Sequence, residues 1–357
     1  MLGRTTDLLL NYFLAVRIMV TRVNRNRPQS RRRNSPPLTA PNDHISRLLY
    51  GEGLVPDLDK GSDRFFDLIT WNIKFFNNRD PKRVVIISDI LRELNADIFV
   101  FQEIEAGALD VVAQNLIDAR AGLYKVAYGT TGGDQRVAIM YDTEWVRASD
   151  NIEELFLDER LTVEVEGQSK EVFPRLPLAS NFVVRAADSP FDFNLVGVHL
   201  KSQRGGGGEQ RGAAARRLAE YVQNDALDED IIIAGDWNAD PNRPEWQPIR
   251  DLEEGLVKFE GFNFVNAEDE GSYLTVGGRR SKLDLIVVTD DAAKAVAEKP
   301  NVVGWSILDN SSLSLTAKEV RKKVIDTISD HLPVLARFNF KDLDANDESD
   351  ADESDEQ

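Results

Sequence analysis

Apolar and polar residues follow two different periods along the middle of the chain, and each period predicts a different element. Short, continuous apolar runs are typical of strands that are buried on both faces. They predict strands over residues 67–73, 96–103, 136–142, 193–200, 230–236, 283–289 and 332–340. Apolar residues spaced three and four apart predict helices over residues 82–94, 108–119 and 209–224. Strands and helices that alternate in this way indicate an α/β protein.

The composition divides the chain into three zones. Residues 1–63 form a basic leader, which we expect to be largely disordered because it is rich in Arg, Asn and Pro. Residues 64–340 form one folded domain, and residues 341–357 form an acidic tail that we expect to be disordered. An apolar run in the leader contains Arg17 and is too short to span a bilayer. We interpret it as a disordered or amphipathic segment, with a cleaved export signal or a start at Met19 as alternatives.

Charge and composition limit the possible chemistry. The formal net charge is −18, with eight arginines and one acid in the first 40 residues and nine acids and one lysine in the tail. The body therefore carries about −17, which argues against tight, nonspecific binding of nucleic acid. The chain has no cysteine, so disulfides, thiolate nucleophiles and Cys-ligated metals are excluded. We expect a monomer without a transmembrane segment, and a cytoplasmic location is favoured over export.

Polar residues stand where the predicted buried strands begin or end. They are Asn72, Glu103, His199, Asp236, Asn238, Asp284, Asp330 and His331. Any one of them alone is more often a turn, cap or solvated residue. Because six strands each bring such a group to an end, we expect one shared site at the rim of the sheet scaffold. Carboxylate and amide oxygens suit Mg²⁺ or Mn²⁺, which can polarise a phosphoryl oxygen.

Six ordered motifs carry a family resemblance. They are TWNIKFF (70–76), FQEIE (101–105), VHLKS (198–202), GDWNADP (235–241), KLDLIVV (282–288) and SDHLPVLA (329–336). Together they closely resemble the endonuclease/exonuclease/phosphatase superfamily, whose fold is DNase I-like. The resemblance implies a four-layer α/β/β/α sandwich, in which two mixed β-sheets pack face to face with helices outside. It also implies hydrolysis of phosphodiester bonds with Mg²⁺ or Mn²⁺.

The resemblance also implies roles for the residues that match the family motifs. Glu103 is expected to be the principal metal ligand, with Asn72 beside it and Asp330 as a second metal-associated carboxylate. Asp236 is expected to orient or deprotonate the attacking water, and Asn238 to bind the phosphate. These five residues therefore form the predicted metal and water-activating part of the site.

The two histidines of the predicted site differ in their expected partners. The resemblance implies that His331 contacts the scissile phosphate and is held by Asp284. In the DNase I branch a glutamate pairs with the histidine that matches His199, but here that place is taken by Gln135, with Asp134 as the alternative partner. An amide cannot stabilise an imidazolium as a carboxylate does. We therefore expect His199 to act as a hydrogen-bond donor or as a weaker acid.

Two local basic strips bear on the substrate. The first strip, residues 201–217, includes four consecutive glycines, which predict a mobile loop beside the site. Within it, Lys201, Arg204 and Arg211 are candidate phosphate contacts, although a flexible connection and a solvated helix face would give the same pattern. The second strip, residues 279–282, follows Tyr273, whose ring is a candidate for stacking on a base.

The leading hypothesis is a DNase I-like endonuclease or exonuclease acting on nucleic acid. The alternative is a sphingomyelinase-like or other small-molecule or lipid phosphodiesterase. A non-catalytic binding module of the same fold is a minor alternative, because the predicted catalytic set is intact.

Overall fold

The computed structural model describes residues 53–341, except residues 63, 150, 186–189, 206, 225, 227–229, 251–261, 267–270 and 309–314. The predictions for most of the leader and for the acidic tail lie outside the described residues. The last residues assigned to the leader belong instead to the folded domain. Leu54 and Val55 are buried in the core, and the amides of Gly53 and Val55 donate to the carboxylate of Glu93.

The strands of the described part of the chain have the following bounds. They are β1 (Phe66–Phe76), β2 (Ile98–Ile104), β3 (Tyr124–Tyr128), β4 (Arg136–Asp142), β5 (Val146–Ala148), β6 (Glu153–Glu154), β7 (Thr162–Val165), β8 (Gln168–Glu171), β9 (Leu178–Val184), β10 (Asp192–His199), β11 (Ile231–Asp236), β12 (Phe262–Phe264), β13 (Tyr273–Leu274), β14 (Arg280–Ser281), β15 (Asp284–Thr289), β16 (Val296–Val302) and β17 (Val334–Phe338). The helices are α1 (Pro81–Leu94), α2 (Asp110–Asp118), α3 (Gly207–Asn224), α4 (Gln247–Arg250), α5 (Asp290–Lys294) and α6 (Ala317–Thr327).

Two mixed β-sheets form the centre of the fold. The first sheet has the order β16-β17-β1-β2-β4-β3, and the second has the order β12-β15-β11-β10-β9-β5, with β6 also on β9. In the first sheet β1 and β2 are parallel, and in the second sheet β10 and β11 are parallel. The other pairings within these sheets are antiparallel. The predicted site residues lie mainly at the carboxyl ends of these two parallel pairs.

Three apolar layers hold the sandwich together. The inner faces of both sheets share one layer, in which Leu68 and Val100 belong to the same cluster as Leu195 and Ile286. A second layer packs α1, α2 and α6 on the outside of the first sheet, and a third packs α3 and α4 on the outside of the second. Burying one large apolar side chain completely stabilises the folded state by about 1.5–3 kcal/mol relative to leaving it exposed. The predicted four-layer α/β/β/α architecture is thus confirmed.

Local sequence explains where the first long helix begins and ends. The carboxylate of Asp80 accepts from the amide of Lys82, Pro81 stands at the first helical position, and Asn95 ends the helix in the left-handed conformation. The buried stripe of α1 includes Ile87 and Leu91, which face the first sheet.

Among the described residues, no helix is long and apolar enough to cross a membrane.

Some predicted boundaries were wrong. Gly207 and Gly208 belong to the first turn of α3, so the four glycines do not form a single loop. Strand β1 continues to Phe76 through an irregularity after Asn72, and this irregularity shapes the site.

Candidate active site

Inward-facing positions of four strands bring polar side chains to one rim of the sandwich. Side chains alternate along a strand, so Asp236 faces the first sheet as Ile232 does four residues earlier. The same alternation turns Asn72, His199 and Asp284 inward. In the second sheet, Asp236 is the register partner of His199 on one side and of Asp284 on the other. The period of the strands therefore assembles the site.

Asp236 lies at the centre of this rim and is buried. Asn72 Nδ2 donates to its Oδ2 at 3.1 Å, and the amide of Asn238 donates to its Oδ1 at 2.9 Å. His199 Nε2 lies 3.6 Å from Oδ2. Burial and the neighbouring Asp284 raise the pKa of the Asp236 carboxyl to about 7. Near neutral pH this carboxylate is therefore a stronger base than an exposed aspartate.

His331, in the segment that leads into β17, forms a buried pair with Asp284 of the second sheet. His331 Nδ1 lies 2.7 Å from Asp284 Oδ2, and Ser272 Oγ donates to the same carboxylate oxygen. Burial lowers the pKa of His331, but Asp284 and, more weakly, Asp236 outweigh it and raise the pKa to about 10. The Tyr273 ring packs edge-on to the imidazole at a centroid distance of 5.1 Å. The imidazole is thus held in one orientation and favoured in its charged form.

Hydrogen bonds from the first sheet fix the segment that carries His331. Ser329 Oγ donates to the carbonyl of Asn72 at 2.8 Å and accepts from the amide of His331 at 3.1 Å. Trp71 Nε1 donates to the carbonyl of His331 at 2.9 Å. Two consecutive residues of β1 therefore position this segment against the site.

The predicted metal ligands lie around the irregular ends of β1 and β2. Glu103 and Phe75 both have left-handed backbones, with φ of 62° and 47°, and the amide of Phe75 donates to Glu103 Oε2 at 3.0 Å. Asn72 Oδ1 is buried and has no hydrogen-bond partner among the described residues. Asp330 Oδ2 lies 3.0 Å from Lys74 Nζ. An oxygen-only donor set of this kind fits a hard divalent cation.

A second group also offers metal ligands. Asp236, Asp284 and His331 are buried and each present one ligand atom, with all three atoms within 4.8 Å of one another. Two of these residues already share the 2.7 Å hydrogen bond. A cation bound through Asp284 Oδ2 and His331 Nδ1 would replace that bond.

His199 does not have the partner that the family resemblance predicted. It is 3% exposed, and its Nδ1 has no hydrogen-bond partner in the part of the chain that the structure describes. Gln135 Oε1 instead accepts from Arg175 Nη2 at 2.9 Å, and Asp134 is exposed. Burial, Arg175 and His331 lower the pKa of His199 well below its usual range. The prediction that Gln135 orients His199 therefore does not match the structure.

The predicted phosphate contacts from the first basic strip separate into two groups. Lys201 and Arg204 lie at the rim, where Lys201 Nζ donates to Ser202 Oγ and to the carbonyl of Arg204, both at 3.0 Å. Arg211 is 2% exposed and its Nη2 lies 2.8 Å from Glu245 Oε1. The prediction that Arg211 contacts substrate is wrong, because its guanidinium is held inside the domain.

Two arginines near the site were not predicted from the sequence. Arg83 Nη2 donates to the carbonyls of Lys74 and Ile328, at 2.7 and 2.9 Å, and so ties α1 to the loops around the proposed metal ligands. Burial lowers the pKa of Arg175, while Asp236 and Glu103 oppose this effect. No local motif marks either arginine, since only the tertiary fold brings them to the rim.

Solved structures share this architecture at low sequence identity. An endonuclease/exonuclease/phosphatase from Bacteroides vulgatus is 15% identical, with a TM-score of 0.53, and the match covers 78% of this chain and 99% of that one. The human Nocturnin catalytic domain, solved with a bound sulfate anion, is 16% identical, with a TM-score of 0.52, and the match covers 80% of this chain and 100% of that one. A Bacteroides thetaiotaomicron family protein is 16% identical, with a TM-score of 0.51 and coverage of 78% and 98%. Identities this low show the fold alone.

The family match comes from the sequence itself. No functionally curated protein matches the chain. The profile described as the Endonuclease/Exonuclease/phosphatase family matches residues 69–331, a span that runs from β1 to His331 and includes every strand that delivers a site residue. Because this match covers well over half of the chain, the chain belongs to the endonuclease/exonuclease/phosphatase family.

Proposed function

We propose that the protein is a divalent-metal-dependent phosphodiesterase that cleaves nucleic acid, as a DNase I-like endonuclease or exonuclease. The observation that carries the proposal is the Asp284–His331 pair, at 2.7 Å, beside the buried carboxylate of Asp236. A base and a charged imidazole at one rim are the groups that phosphodiester hydrolysis requires. Their pKa values, about 7 and about 10, leave both in the useful protonation state between these limits.

Asp236 is the proposed base. It takes a proton from a water molecule, whose oxygen bonds to phosphorus while the bond from phosphorus to the leaving oxygen breaks. The leaving oxygen then gains a proton from solvent, and Asp236 returns its proton to solvent, so the products are an alcohol and a phosphomonoester. Asn72 and Asn238 hold the two carboxylate oxygens of Asp236, which fixes the direction from which the proton is taken.

His331 is the proposed phosphate-binding cation. Its Nδ1–H donates to Asp284, so Nε2–H is directed to a phosphoryl oxygen and stabilises the charge that develops there. The side-chain amide of Asn238, a residue whose backbone is left-handed with φ of 57°, is the second proposed phosphate donor. Asn238 Nδ2 donates one of its hydrogens to the carbonyl of Leu200 at 3.0 Å, which leaves the other for the substrate.

Glu103, Asn72 and Asp330 are the proposed metal ligands. They fit Mg²⁺ or Mn²⁺ because they offer only oxygens, and one of these oxygens, Asn72 Oδ1, is buried without a described partner. The cation supplies positive charge that polarises a phosphoryl oxygen. We assign Asp236, Asp284 and His331 to proton transfer and phosphate binding, because Asp284 Oδ2 and His331 Nδ1 are already joined by a hydrogen bond that orients the imidazole.

Basic residues along the rim favour nucleic acid over a small ester. Arg204 is exposed beside Lys201, and Tyr273 is half-buried against His331. A cavity of about 370 Å³ near the start of β15 is lined by residues that include Arg243 and Arg280. A polyanionic strand contacts several such cations at once, whereas a single phosphodiester cannot.

The test is a substrate panel with controlled metal. Plasmid DNA, linear DNA and bis-p-nitrophenyl phosphate are incubated with the purified chain and Mg²⁺ or Mn²⁺, and again with excess chelator. Metal-dependent nicking of the plasmid or shortening of the linear DNA, abolished by the chelator, is the expected result. Cleavage of the small ester without cleavage of either DNA would contradict the nuclease proposal, and no turnover of any substrate would contradict the phosphodiesterase proposal.

A further inference from the structure

A cavity of about 550 Å³ opens beside the catalytic rim, where the loop before β4, the hairpin of β7 and β8, and the segment after β10 meet. Its volume lies within the range of about 300–1,000 Å³ that is usual for ligand pockets. Three cations line it, from Lys170, Arg175 and Lys201, against a single acid, Glu171. In a domain of strongly negative net charge, this local excess of positive charge needs a reason.

None of these three cations forms an ion pair with a carboxylate in the described part of the chain. They donate their hydrogen bonds to neutral oxygens instead. Lys170 donates to Gln168, and Arg175 donates to Gln135. Lys201 donates to Ser202 Oγ and to the carbonyl of Arg204. Burial lowers the pKa of Lys201, and Arg175 lowers it further, so the two cations repel each other. Cations clustered in this way attract an anion.

Arg175 connects this cavity with the catalytic cluster. It lies within electrostatic reach of Asp236 and Glu103, which both favour its charged form. Gln135 holds its guanidinium at 2.9 Å. Gly132 leaves room for the Arg175 side chain, because a Cβ at this glycine would lie only 2.4 Å from Arg175 Cγ. A group bound by Arg175 therefore lies next to the phosphodiester that the site is proposed to cleave.

We propose that this cavity binds a second phosphate group of the substrate, adjacent to the scissile phosphodiester, with Arg175 as its main contact and Gln135 as the positioning residue. The inference rests on the proposed function. A guanidinium presents paired donors that match phosphate oxygens, and only one donor of Arg175 is used by a described residue. The second phosphate is either the next internal phosphodiester of a nucleic acid strand or a terminal phosphate on the nucleotide beside the cleaved bond.

Short oligonucleotides test this subsite with the full chain and Mg²⁺. The substrates are a dinucleotide without terminal phosphates, the same dinucleotide phosphorylated at its 5′ or its 3′ end, and a trinucleotide without terminal phosphates. One added phosphate should raise kcat/KM by about tenfold or more, the usual effect of one charge-assisted contact. A rise confined to the phosphorylated dinucleotides identifies a terminal phosphate, and a rise with the trinucleotide identifies an internal one.

The outcomes separate the subsite from the proposed function. Equal kcat/KM for all four substrates would overturn the subsite and leave the phosphodiesterase standing. Failure to cleave any of them, or plasmid DNA, would overturn the proposed function instead.

Variants locate the effect in the cavity. Arg175→Ala should reduce the advantage of the second phosphate to about threefold or less, and Lys170→Ala, on the β7–β8 hairpin, should reduce it in part. Gln135→Ala should reduce the same advantage by raising KM for the substrates with a second phosphate rather than by lowering kcat. Arg147→Ala, an exposed arginine on β5, should leave it unchanged. If Arg175→Ala does not fold, Lys170→Ala carries the test, and an undiminished advantage in whichever of the two folds would overturn the inference.

Discussion

Asp284 Oδ2 and His331 Nδ1 lie 2.7 Å apart, although only Asp284 belongs to a strand of the two central sheets. Asp284 begins β15 in the second sheet, and His331 stands shortly before β17 in the first. The pair forms only when the inner faces of the sheets are packed together. The geometry of the candidate site and the packing of the core are therefore linked at this rim.

The Asp284–His331 pair predicts a change in pH dependence. In the wild type, kcat/KM should rise as Asp236 loses its proton at about pH 7 and fall as His331 loses its proton at about pH 10. Asp284→Asn removes the anion that raises the His331 pKa and leaves the burial that lowers it, so the falling limb should move to lower pH. The measurement is the pH profile of kcat/KM for DNA cleavage. An unchanged falling limb would mean that His331 does not act as the charged group.

Asp236→Ala should lower kcat by about 10²–10⁴-fold, because the variant lacks the proposed base. The fold should persist, since the neighbouring strands keep their apolar contacts, and far-UV circular dichroism checks this. Asp158→Asn, at an exposed position, is the control and should retain the wild-type rate. A folded Asp236→Ala protein with a near-wild-type rate would contradict the assigned role.

Glu103→Gln should raise the Mg²⁺ concentration needed for half-maximal activity by at least about tenfold, because a carboxylate ligand becomes a neutral amide. Titration calorimetry with Mg²⁺ measures the same loss independently of turnover. Glu153→Gln, exposed on β6, is the matched control. Equal Mg²⁺ affinity in the wild type and Glu103→Gln would remove Glu103 from the metal site.

Gln135→Glu introduces a carboxylate at the position that now holds Arg175 at 2.9 Å. The new ion pair should neutralise Arg175 and so weaken its hold on a second phosphate. It should also shift the pH profile, because Arg175 lowers the pKa of His199 and the new carboxylate offsets that charge. Kinetics with the phosphorylated dinucleotide, repeated across pH, measure both effects. Gln114→Glu on the exposed face of α2 makes the same charge change elsewhere and should do neither. Wild-type kinetics in Gln135→Glu would show that Gln135 does not position Arg175.

Arg211 and Glu245 form a buried ion pair with side-chain exposures of 2% and 6%. Arg211→Ala leaves the buried carboxylate with only the longer contact to the exposed Arg243, whose Nε lies 3.6 Å away, so the free energy of unfolding should fall by about 3–5 kcal/mol. Urea unfolding measures this change. Arg216→Ala, exposed on the same helix, should change it by less than about 0.5 kcal/mol. If Arg211→Ala were as stable as the wild type but bound DNA poorly, the structural role would be wrong.

The sequence predicted the central strands and longest helices well because their apolar patterns are strong. Helix α1 and strand β11 each lie within about one residue of the predicted bounds. Strand β9 and helix α6 were not predicted. The first lies among several prolines, and the second has only Val320 and Val324 buried, although the Thr316–Glu319 capping box is a local signal for a helix start.

The roles of single side chains were harder to predict than the elements that carry them. Arg211 lies three and four residues before Ala214 and Ala215, so helical geometry alone places it on the buried face of α3. Arg175 has no comparable signal, because it reaches the rim from an irregular segment before β9. The conjunction of polar strand ends did predict the cluster of Asp236, Asp284 and His331, since the period of a strand fixes which residues face inward.

The most direct test of the proposed chemistry is a single-turnover measurement of DNA strand cleavage by His331→Ala and the wild type, both at saturating Mg²⁺. His331 is buried and paired, so the variant must first be shown to fold by its cooperative thermal unfolding. The predicted result is cleavage slower than wild type by about 10²–10³-fold, because the charge on the phosphoryl oxygen loses its donor. A folded His331→Ala protein that cleaves within about threefold of the wild-type rate would contradict the account.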